Sequence, residues 1–212
     1  MSINLQKGQK IDLTKGSGGL SRIMVGLGWD EAQPAPQQSS GGFFGLFKSH
    51  SQQQIQDIDC DASAILLNAN GKLYGREAND CCVYFGNLTH KSGAIRHQGD
   101  NLTCAGEGDD EQIMVDLNRV PADVAKIVFV VNIYDANVRG QHFGMIQNAF
   151  IRLVNLENNA EICKFNLSEN YYGMTGMVVG EIYRYNREWK FNAIGQPVKE
   201  ASRLQLLLNM YA

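Results

Sequence analysis

The chain has no run of basic residues and no long apolar segment, and both absences narrow the classes of protein to which it can belong. Its 212 residues carry a formal net charge of −3, with 19 Lys and Arg against 22 Asp and Glu. Without a basic cluster, nucleic acid is not expected as a main partner. No stretch approaches the roughly 20 apolar residues of a transmembrane helix, and the N-terminus lacks the apolar core of a signal peptide. We therefore expect a soluble, cytoplasmic protein without a transmembrane segment.

Cysteine and histidine are too few and too scattered to predict a zinc or redox site. The four histidines form no ligand pattern, and no two cysteines have the two-residue spacing of a zinc knuckle or a redox pair. The five cysteines are Cys60, Cys81, Cys82, Cys104 and Cys163. We expect them to be reduced, buried thiols.

Short apolar segments separated by turn residues predict a mainly β fold. The segment 126–134 is a near-continuous, β-branched apolar run and is expected to be the central strand. Two hairpins are predicted, one from residues 148–156 and 160–165 and the other from residues 175–185 and 188–193. About ten such strands predict a β-sandwich of two sheets with short helices.

The predicted domain has an insertion and a C-terminal helix. Residues 1–196 are expected to form one sandwich, and residues 197–212 a helix packed on it. Pro197 would open this helix, and one stripe of it would be apolar: Leu204, Leu207, Leu208 and Tyr211. A Gly-, Gln- and Ser-rich insertion at about 31–56 surrounds Phe43, Phe44 and Phe47. These aromatic side chains either form an exposed docking patch or fold back on the sandwich.

The most unusual stretch runs from Gly99 to Glu111. It holds five carboxylates among thirteen residues, interleaved with three glycines. Such a sequence makes a poor helix and a poor strand but a good tight loop. Two carboxylates about 4 Å apart repel by roughly 4 kcal/mol at an effective dielectric constant of about 20, and a bound cation removes that repulsion. Calcium prefers oxygen ligands on a flexible loop, so this stretch predicts either a calcium site or a solvated acidic turn.

A second segment places acidic and polar side chains in alternation with apolar ones: Asp57, Asp59, Asp61 and Ser63 against Ile58, Cys60, Ala62 and Ala64. On a β-strand this alternation puts the carboxylates on one face. The segment is not an EF-hand loop, because Ala62 stands where a glycine is required and Asn68 where a glutamate is required. It predicts a strand whose first half presents carboxylates at the end of a sheet.

Several ordered motifs carry a resemblance to a known family. They include Leu5-Gln6-Lys7-Gly8, Val25-Gly26-Leu27-Gly28-Trp29-Asp30, Asp59-Cys60-Asp61-Ala62-Ser63-Ala64, Gly99-Asp100-Asn101-Leu102-Thr103, Gly108-Asp109-Asp110-Glu111, Asn148-Ala149-Phe150-Ile151-Arg152 and Glu188-Trp189-Lys190-Phe191. In these motifs the chain resembles the TerD family of tellurium-resistance and stress proteins. The resemblance covers about residues 1–196, interrupted by the insertion.

The resemblance implies a two-sheet β-sandwich that binds calcium through the two acidic segments. The number of acidic residues in these segments predicts more than one ion. Carried over position by position, the implied ligands are Asp59, Asp61, Asp100, Asn101, Glu107, Asp109, Asp110 and Glu111. Asp57 lies outside the family motif and is a candidate from the residue pattern alone. Cys104 stands where the family usually has glycine, and a positive φ there would strain a cysteine.

The first hypothesis is a non-catalytic, calcium-binding stress-response protein of the tellurium-resistance type. It would act through a calcium-stabilised conformation and by docking to other proteins of a stress complex or to a membrane surface. The alternative is a metal-dependent hydrolase that uses the same carboxylates, with His97 as the candidate base. No Ser/His/Asp or Cys/His set supports catalysis, so we predict no catalytic residue and calcium as the only cofactor.

Overall fold

Twelve strands make up most of the regular secondary structure in the part of the chain that the structure describes. The computed structural model describes residues 2–14, 19–31, 58–99, 108–167 and 169–212. In chain order the strands are β1 (Ile3–Leu5), β2 (Lys10–Asp12), β3 (Arg22–Glu31), β4 (Cys60–Leu67), β5 (Cys82–Val83), β6 (Ile95–His97), β7 (Glu111–Asp116), β8 (Lys126–Ile133), β9 (Ile146–Asn155), β10 (Ala160–Asn166), β11 (Gly176–Tyr185) and β12 (Glu188–Val198). The short helices are α1 (Ala78–Cys81), α2 (Ala136–Arg139) and α3 (Leu204–Leu208), with 3-10 turns at Phe143–Met145 and Asn209–Tyr211.

The strands form two six-stranded sheets that face each other. Sheet A has the order β1-β10-β9-β3-β7-β6, and sheet B has the order β2-β12-β11-β8-β4-β5. All the pairings are antiparallel except that of β1 with β10. The predicted β-sandwich of two sheets, with both hairpins, is confirmed.

Alternation along the central strand of sheet B explains its apolar run. Phe129 and Val131 of β8 face sheet A in the main core, together with Trp29 of β3. Val128 and Val130 face the other way, into a second apolar cluster that includes residues of α3. Because both faces of β8 are covered, nearly every position is apolar, which is the pattern of a strand buried on both sides.

The C-terminal helix packs on the outer face of sheet B as expected, but it is shorter than predicted. Leu207 and Leu208 are buried there. Strand β12 continues to Val198, so Pro197 lies opposite Met177 of β11 and does not open the helix. On its other side β12 pairs with β2 only at residues 190–192, and an edge of this kind is where sheets tolerate proline.

The predicted docking patch and the expected absence of a transmembrane segment are tested only as far as the described residues reach. The aromatic residues of the insertion, Phe43, Phe44 and Phe47, lie outside the described residues, and so does Asp57. Within the described residues, no helix is long and apolar enough to cross a membrane.

His90 is a buried titratable group in the connection between β5 and β6. The backbone N–H of Ser92 donates to His90 Nδ1 at 3.2 Å, which leaves Nε2–H to donate to the carbonyl oxygen of Asp80 at 3.0 Å. The buried imidazole is therefore held neutral. Burial, which penalises the charged form, lowers the pKa of His90 below its ordinary value.

This burial predicts a specific pH dependence of stability. Below a pH of about 6.5 the unfolded chain takes up a proton at position 90, whereas the folded chain does so only at a lower pH, so stability falls by up to about 1.4 kcal/mol per pH unit between the two pKa values. His90→Gln, which keeps a donor for Asp80, removes this loss. In urea denaturation at pH 7.5 and 5.5, we expect the wild type to lose more stability than the variant, and equal losses would contradict the assignment.

Candidate functional site

The acidic stretch and the start of β4 meet at one carboxylate. Glu111, the first residue of β7, points into the sandwich, and its Oε2 accepts the N–H of Ala62 in β4 at 2.6 Å. The same oxygen lies 3.2 Å from Nε2 of His97, the last residue of β6. Gly99 N–H donates to His97 Nδ1 at 3.1 Å, so Nε2 carries the proton and donates to Glu111. Glu111 thus links the two sheets.

The edge of β4 explains why a carboxylate is needed here. Strand β8 pairs with β4 along its whole length, but β5 pairs with it only at Ala64 and Ile65. The first half of β4 therefore has no strand partner on that side among the described residues. A buried N–H without an acceptor costs about 1–3 kcal/mol, and at Ala62 the side chain of Glu111 supplies the acceptor.

Asp59 and Asp61 lie on the outer face of sheet B, as their alternation with apolar residues predicted. Asp61 is 6% exposed, and its Oδ2 accepts a hydrogen bond from Nδ2 of Asn132 in β8 at 3.1 Å. Asp59 Oδ2 lies 3.8 Å from Nη1 of Arg139 at the end of α2. The start of β4 therefore holds two carboxylates that are at least partly withdrawn from solvent.

Further oxygen atoms lie on the same face beside Asp61. Ser63 Oγ and Asn132 Oδ1 are buried and accept or donate no hydrogen bond among the described residues. Ala201 packs against Gly176, the β11 neighbour of Asn132, so the C-terminal segment covers this part of the face. The C-terminal segment thus covers oxygen atoms of Ser63 and Asn132 that have no hydrogen-bond partner in the described part of the chain. A hard cation such as calcium takes oxygen atoms of this kind as ligands.

Asp109 lies on the opposite, outer face of sheet A. Its Oδ1 and Oδ2 accept hydrogen bonds from Nε and Nη2 of Arg152 at 2.7 and 2.9 Å, and Gln112 Nε2 donates to Oδ2 at 3.1 Å. The carboxyl group sits directly above Gly26, where a Cβ atom would overlap it. Gly26 is thus required for the close approach of Asp109 to the sheet, and the guanidinium fork of Arg152 neutralises the carboxylate.

Asp110 faces the neighbouring strand. Its Oδ2 accepts the N–H of Trp29 at 2.7 Å, and its own N–H donates to the carbonyl oxygen of Leu27 at 2.8 Å. Burial raises the pKa of the Asp110 carboxyl group. Together these bonds extend the pairing of β3 with β7 by one residue.

The structure therefore brings some predicted ligands together and separates others. Glu111 contacts the backbone one residue from Asp61, whereas Asp109 lies across the sandwich from Asp59 and Asp61. Asp100, Asn101 and Glu107 lie outside the described residues. Within the described ranges, no three His, Cys, Asp or Glu side chains form a group that could hold a metal ion. The calcium ligand set stays a prediction.

Two partners were missed by reasoning from the sequence. Arg152 and Asn132 hold Asp109 and Asp61, yet neither residue is close to its partner along the chain. The only available signal was that both fall at polar positions within otherwise apolar strands, next to Ile151 and Val131.

The described residues do not support the hydrolase alternative. His97, its candidate base, is 1% exposed, and both of its ring nitrogens are engaged, one by Gly99 and the other by Glu111. A general base must reach the proton that it removes, and this imidazole is enclosed between the sheets.

The pairing of Asp109 with Arg152 predicts strong energetic coupling. Asp109→Asn and Arg152→Gln should each lower the free energy of unfolding by about 1–3 kcal/mol, because each leaves a partly buried charge without its partner. The double variant should lose clearly less than the sum, with a coupling of about 1–2 kcal/mol in urea denaturation.

A control uses the second acidic neighbour of Arg152. Glu161 Oε2 lies 3.4 Å from Nη1 of Arg152 at a half-exposed position, so Glu161→Gln should cost less than about 0.5 kcal/mol. Additive effects of the Asp109 and Arg152 substitutions would contradict the structural role of this pair.

Comparison with known proteins agrees with this fold. In solved structures, a homologue of the telluride resistance protein TerD from Streptomyces coelicolor A3(2) superposes with a TM-score of 0.60. The match covers 92% of this chain and 99% of that one at 19% sequence identity, which supports the fold alone.

Sequence relatives are much closer. The stress response protein SCP2 of Bacillus subtilis (strain 168) is 50% identical over 211 residues, the full length of both chains. The tellurium resistance protein TerD of Serratia marcescens is 42% identical over 92% of this chain and 91% of its own length. A family model described as the TerD domain matches residues 1–211. The resemblance seen in the motifs is thereby confirmed, and the chain belongs to the TerD family of stress-response and tellurium-resistance proteins.

Proposed function

We propose that this protein is a non-catalytic calcium-binding protein of the stress response, in which calcium fixes the Gly99–Glu111 loop against the start of β4. The observation that carries the proposal is the hydrogen bond from Ala62 N–H to Glu111 Oε2. It holds the end of the acidic loop one residue from Asp61. The described ends of the loop, at Gly99 and Glu111, are therefore tied to the start of β4 through His97 and Ala62. Loop carboxylates that came close to Asp59 and Asp61 would repel them unless a cation lay between.

The geometry favours two separate roles for the acidic residues, in which some hold the loop in place and others bind the ion. Asp109 and Asp110 have protein partners in Arg152 and the Trp29 N–H, and with Glu111 they hold the returning end of the loop. We assign the ion to Asp59 and Asp61 on β4, together with three residues of the loop itself, Asp100, Asn101 and Glu107. All these donors are oxygen atoms, which fits calcium.

Calcium would act on this protein through stability. An ion that binds only the folded chain stabilises it by RT ln(1 + [L]/Kd), or about 2.7 kcal/mol at one hundred times Kd. The gain would be concentrated where the loop meets β4. A calcium-dependent surface at this end of the sandwich is the means by which we expect partners of a stress complex, or a membrane surface, to be recognised.

Exposed apolar side chains support docking at this end. Val138 of α2 is 85% exposed, and Tyr172, before β11, is 73% exposed. Val138 follows β8, whose last residue, Ile133, lies opposite Cys60 at the start of β4. Tyr172 precedes β11, whose first residue, Gly176, lies opposite Asn132 of β8. Large exposed apolar residues beside a cation site suit a surface that docks when the ion is bound.

Direct thiol chemistry is a poorer explanation of the relatives' tellurium resistance. Among the described cysteines, all four are buried. Burial raises the pKa of the Cys163 thiol to about 12 and raises that of Cys82 further. At neutral pH these thiols stay protonated, and the thiolate is the reactive form. We therefore attribute any resistance to a structural, calcium-dependent role.

Calorimetric titration of metal-free protein with calcium tests the proposal. We expect binding with a rise in Tm of several degrees, and Asp61→Asn should weaken calcium binding at least tenfold because it removes a charged ligand. Asp12→Asn is the matched control, because it removes the same charge from an exposed residue of β2 that pairs with Lys190, and it should leave calcium affinity unchanged. Asp109→Asn frees the returning end of the loop, so it should weaken calcium binding less than Asp61→Asn does.

Two results would count against this assignment. A melting temperature unmoved by both calcium and chelator would remove calcium from the account. If Asp109→Asn lost calcium binding and Asp61→Asn retained it, Asp109 would be the calcium ligand and Asp61 would not.

Docking to a membrane is tested with vesicles. We expect the protein to co-sediment with anionic vesicles in calcium and to stay in solution with chelator, because the ion bridges carboxylates and headgroups. A variant with Phe43, Phe44 and Phe47 replaced by serine should bind less if the insertion supplies the anchor. Calcium-independent sedimentation, or none, would leave a protein partner as the only docking target.

A further inference from the structure

A groove of about 310 Å³ opens on the outer face of sheet A, where β3, β7 and β6 lie side by side. Its position follows from the register. Met114 of β7 lies opposite Arg96 of β6, and Asp116 lies opposite Arg22 of β3. Arg22 and Arg96 therefore stand on either side of β7, two strand spacings apart and two residues out of step, which puts their Cα atoms roughly 12 Å apart. Both side chains are long enough to reach one ligand between them.

Neither Arg22 nor Arg96 has a side-chain hydrogen bond or an ion pair in the described part of the chain, and both are exposed. A third guanidinium, that of Arg119, lies over Gly93 at the rim, with Nη2 donating to Ser92 O at 3.1 Å. Two arginines thus line the groove and a third lies at its rim, in a protein of net charge −3.

One carboxylate faces the same groove. Asp116 lines it, and its Oδ1 accepts the N–H of Asn118 at 3.1 Å at the end of β7. With Arg22 and Arg96 this carboxylate gives the lining residues a net charge of +1, and Arg119 at the rim adds a second positive charge. The balance still favours an anion of two or more charges over a neutral ligand.

The floor of the groove is apolar. Met114 and Leu156 are half-buried and line it together with the small side chain of Ala94. A cavity of this volume is at the lower end of the range for small-molecule sites, about 300–1,000 Å³. Guanidinium groups bind phosphate through paired hydrogen bonds in a fixed planar geometry, and an apolar floor accepts the uncharged body of a ligand.

We propose that this groove binds a small ligand that carries a phosphate group, held by Arg22 and Arg96. The site is independent of the calcium proposal, because none of the residues that line the groove is assigned to the calcium ion. Binding is therefore measured without divalent cations, so that failure of one proposal leaves the other standing.

Calorimetric titration of the full chain with inorganic phosphate, ATP and adenosine, in metal-free buffer of low ionic strength, tests the proposal. We expect phosphate and ATP to bind and adenosine not to bind. ATP binding tighter than phosphate assigns the groove to a phosphate ester, whereas equal affinities assign it to free phosphate.

Variants with equal charge loss separate the groove from general electrostatics. The double variant R22Q/R96Q should weaken binding at least tenfold. R76Q/R187Q removes two exposed arginines elsewhere on the surface and should change affinity by less than twofold. Absence of phosphate and ATP binding at millimolar concentration, unchanged affinity in R22Q/R96Q, equal weakening in both double variants, or adenosine binding as tightly as ATP would each overturn the proposal.

A measurement on the wild type covers the case in which R22Q/R96Q does not fold. The Nε–Hε resonances of Arg22 and Arg96 are followed by NMR during the phosphate titration. Saturable shifts confined to these two side chains support the site, and unchanged resonances overturn it.

Discussion

The hydrogen bond from Ala62 N–H to Glu111 Oε2 is the constraint on which the rest of this end of the molecule depends. It closes a strand edge that β5 is too short to cover, and it does so with a side chain from the opposite sheet. Because His97 donates to the same oxygen, the last residue of β6 and the first residue of β7 are held at one point. The acidic connection between these strands must therefore leave and return beside β4.

The backbone that leads into β7 directs three consecutive acids into three environments, which strict strand alternation would not do, because it would place Asp109 and Glu111 on one face. Asp109 turns to the outer face of sheet A and pairs with Arg152, Asp110 caps the backbone of Trp29, and Glu111 turns inward to β4. Three neighbouring carboxylates avoid mutual repulsion because the backbone directs them apart. Asp59 and Asp61 belong to the other sheet, and Asp61 lies beside oxygen atoms of Ser63 and Asn132 that have no partner among the described residues.

Much of the fold was predictable because it rests on local patterns. The central strand β8, the two hairpins and the buried stripe of α3 each follow from the spacing of apolar residues. The prediction that Pro197 opens a helix was wrong, because proline fits both the first turn of a helix and the edge of a sheet. Strand β2 pairs with β12 only at residues 190–192, so Pro197 lies at a sheet edge. The identity of the family, likewise, was visible in the order of short motifs.

By itself, the sequence determined that two acidic segments exist, that one alternates on a strand and that the other forms a connection. Which carboxylate meets which partner was decided only by the tertiary structure. Arg152 is 43 residues from Asp109, and Asn132 is 71 residues from Asp61. These contacts arise from strand order and register, which depend on how the whole apolar pattern packs into two sheets and which no local spacing encodes.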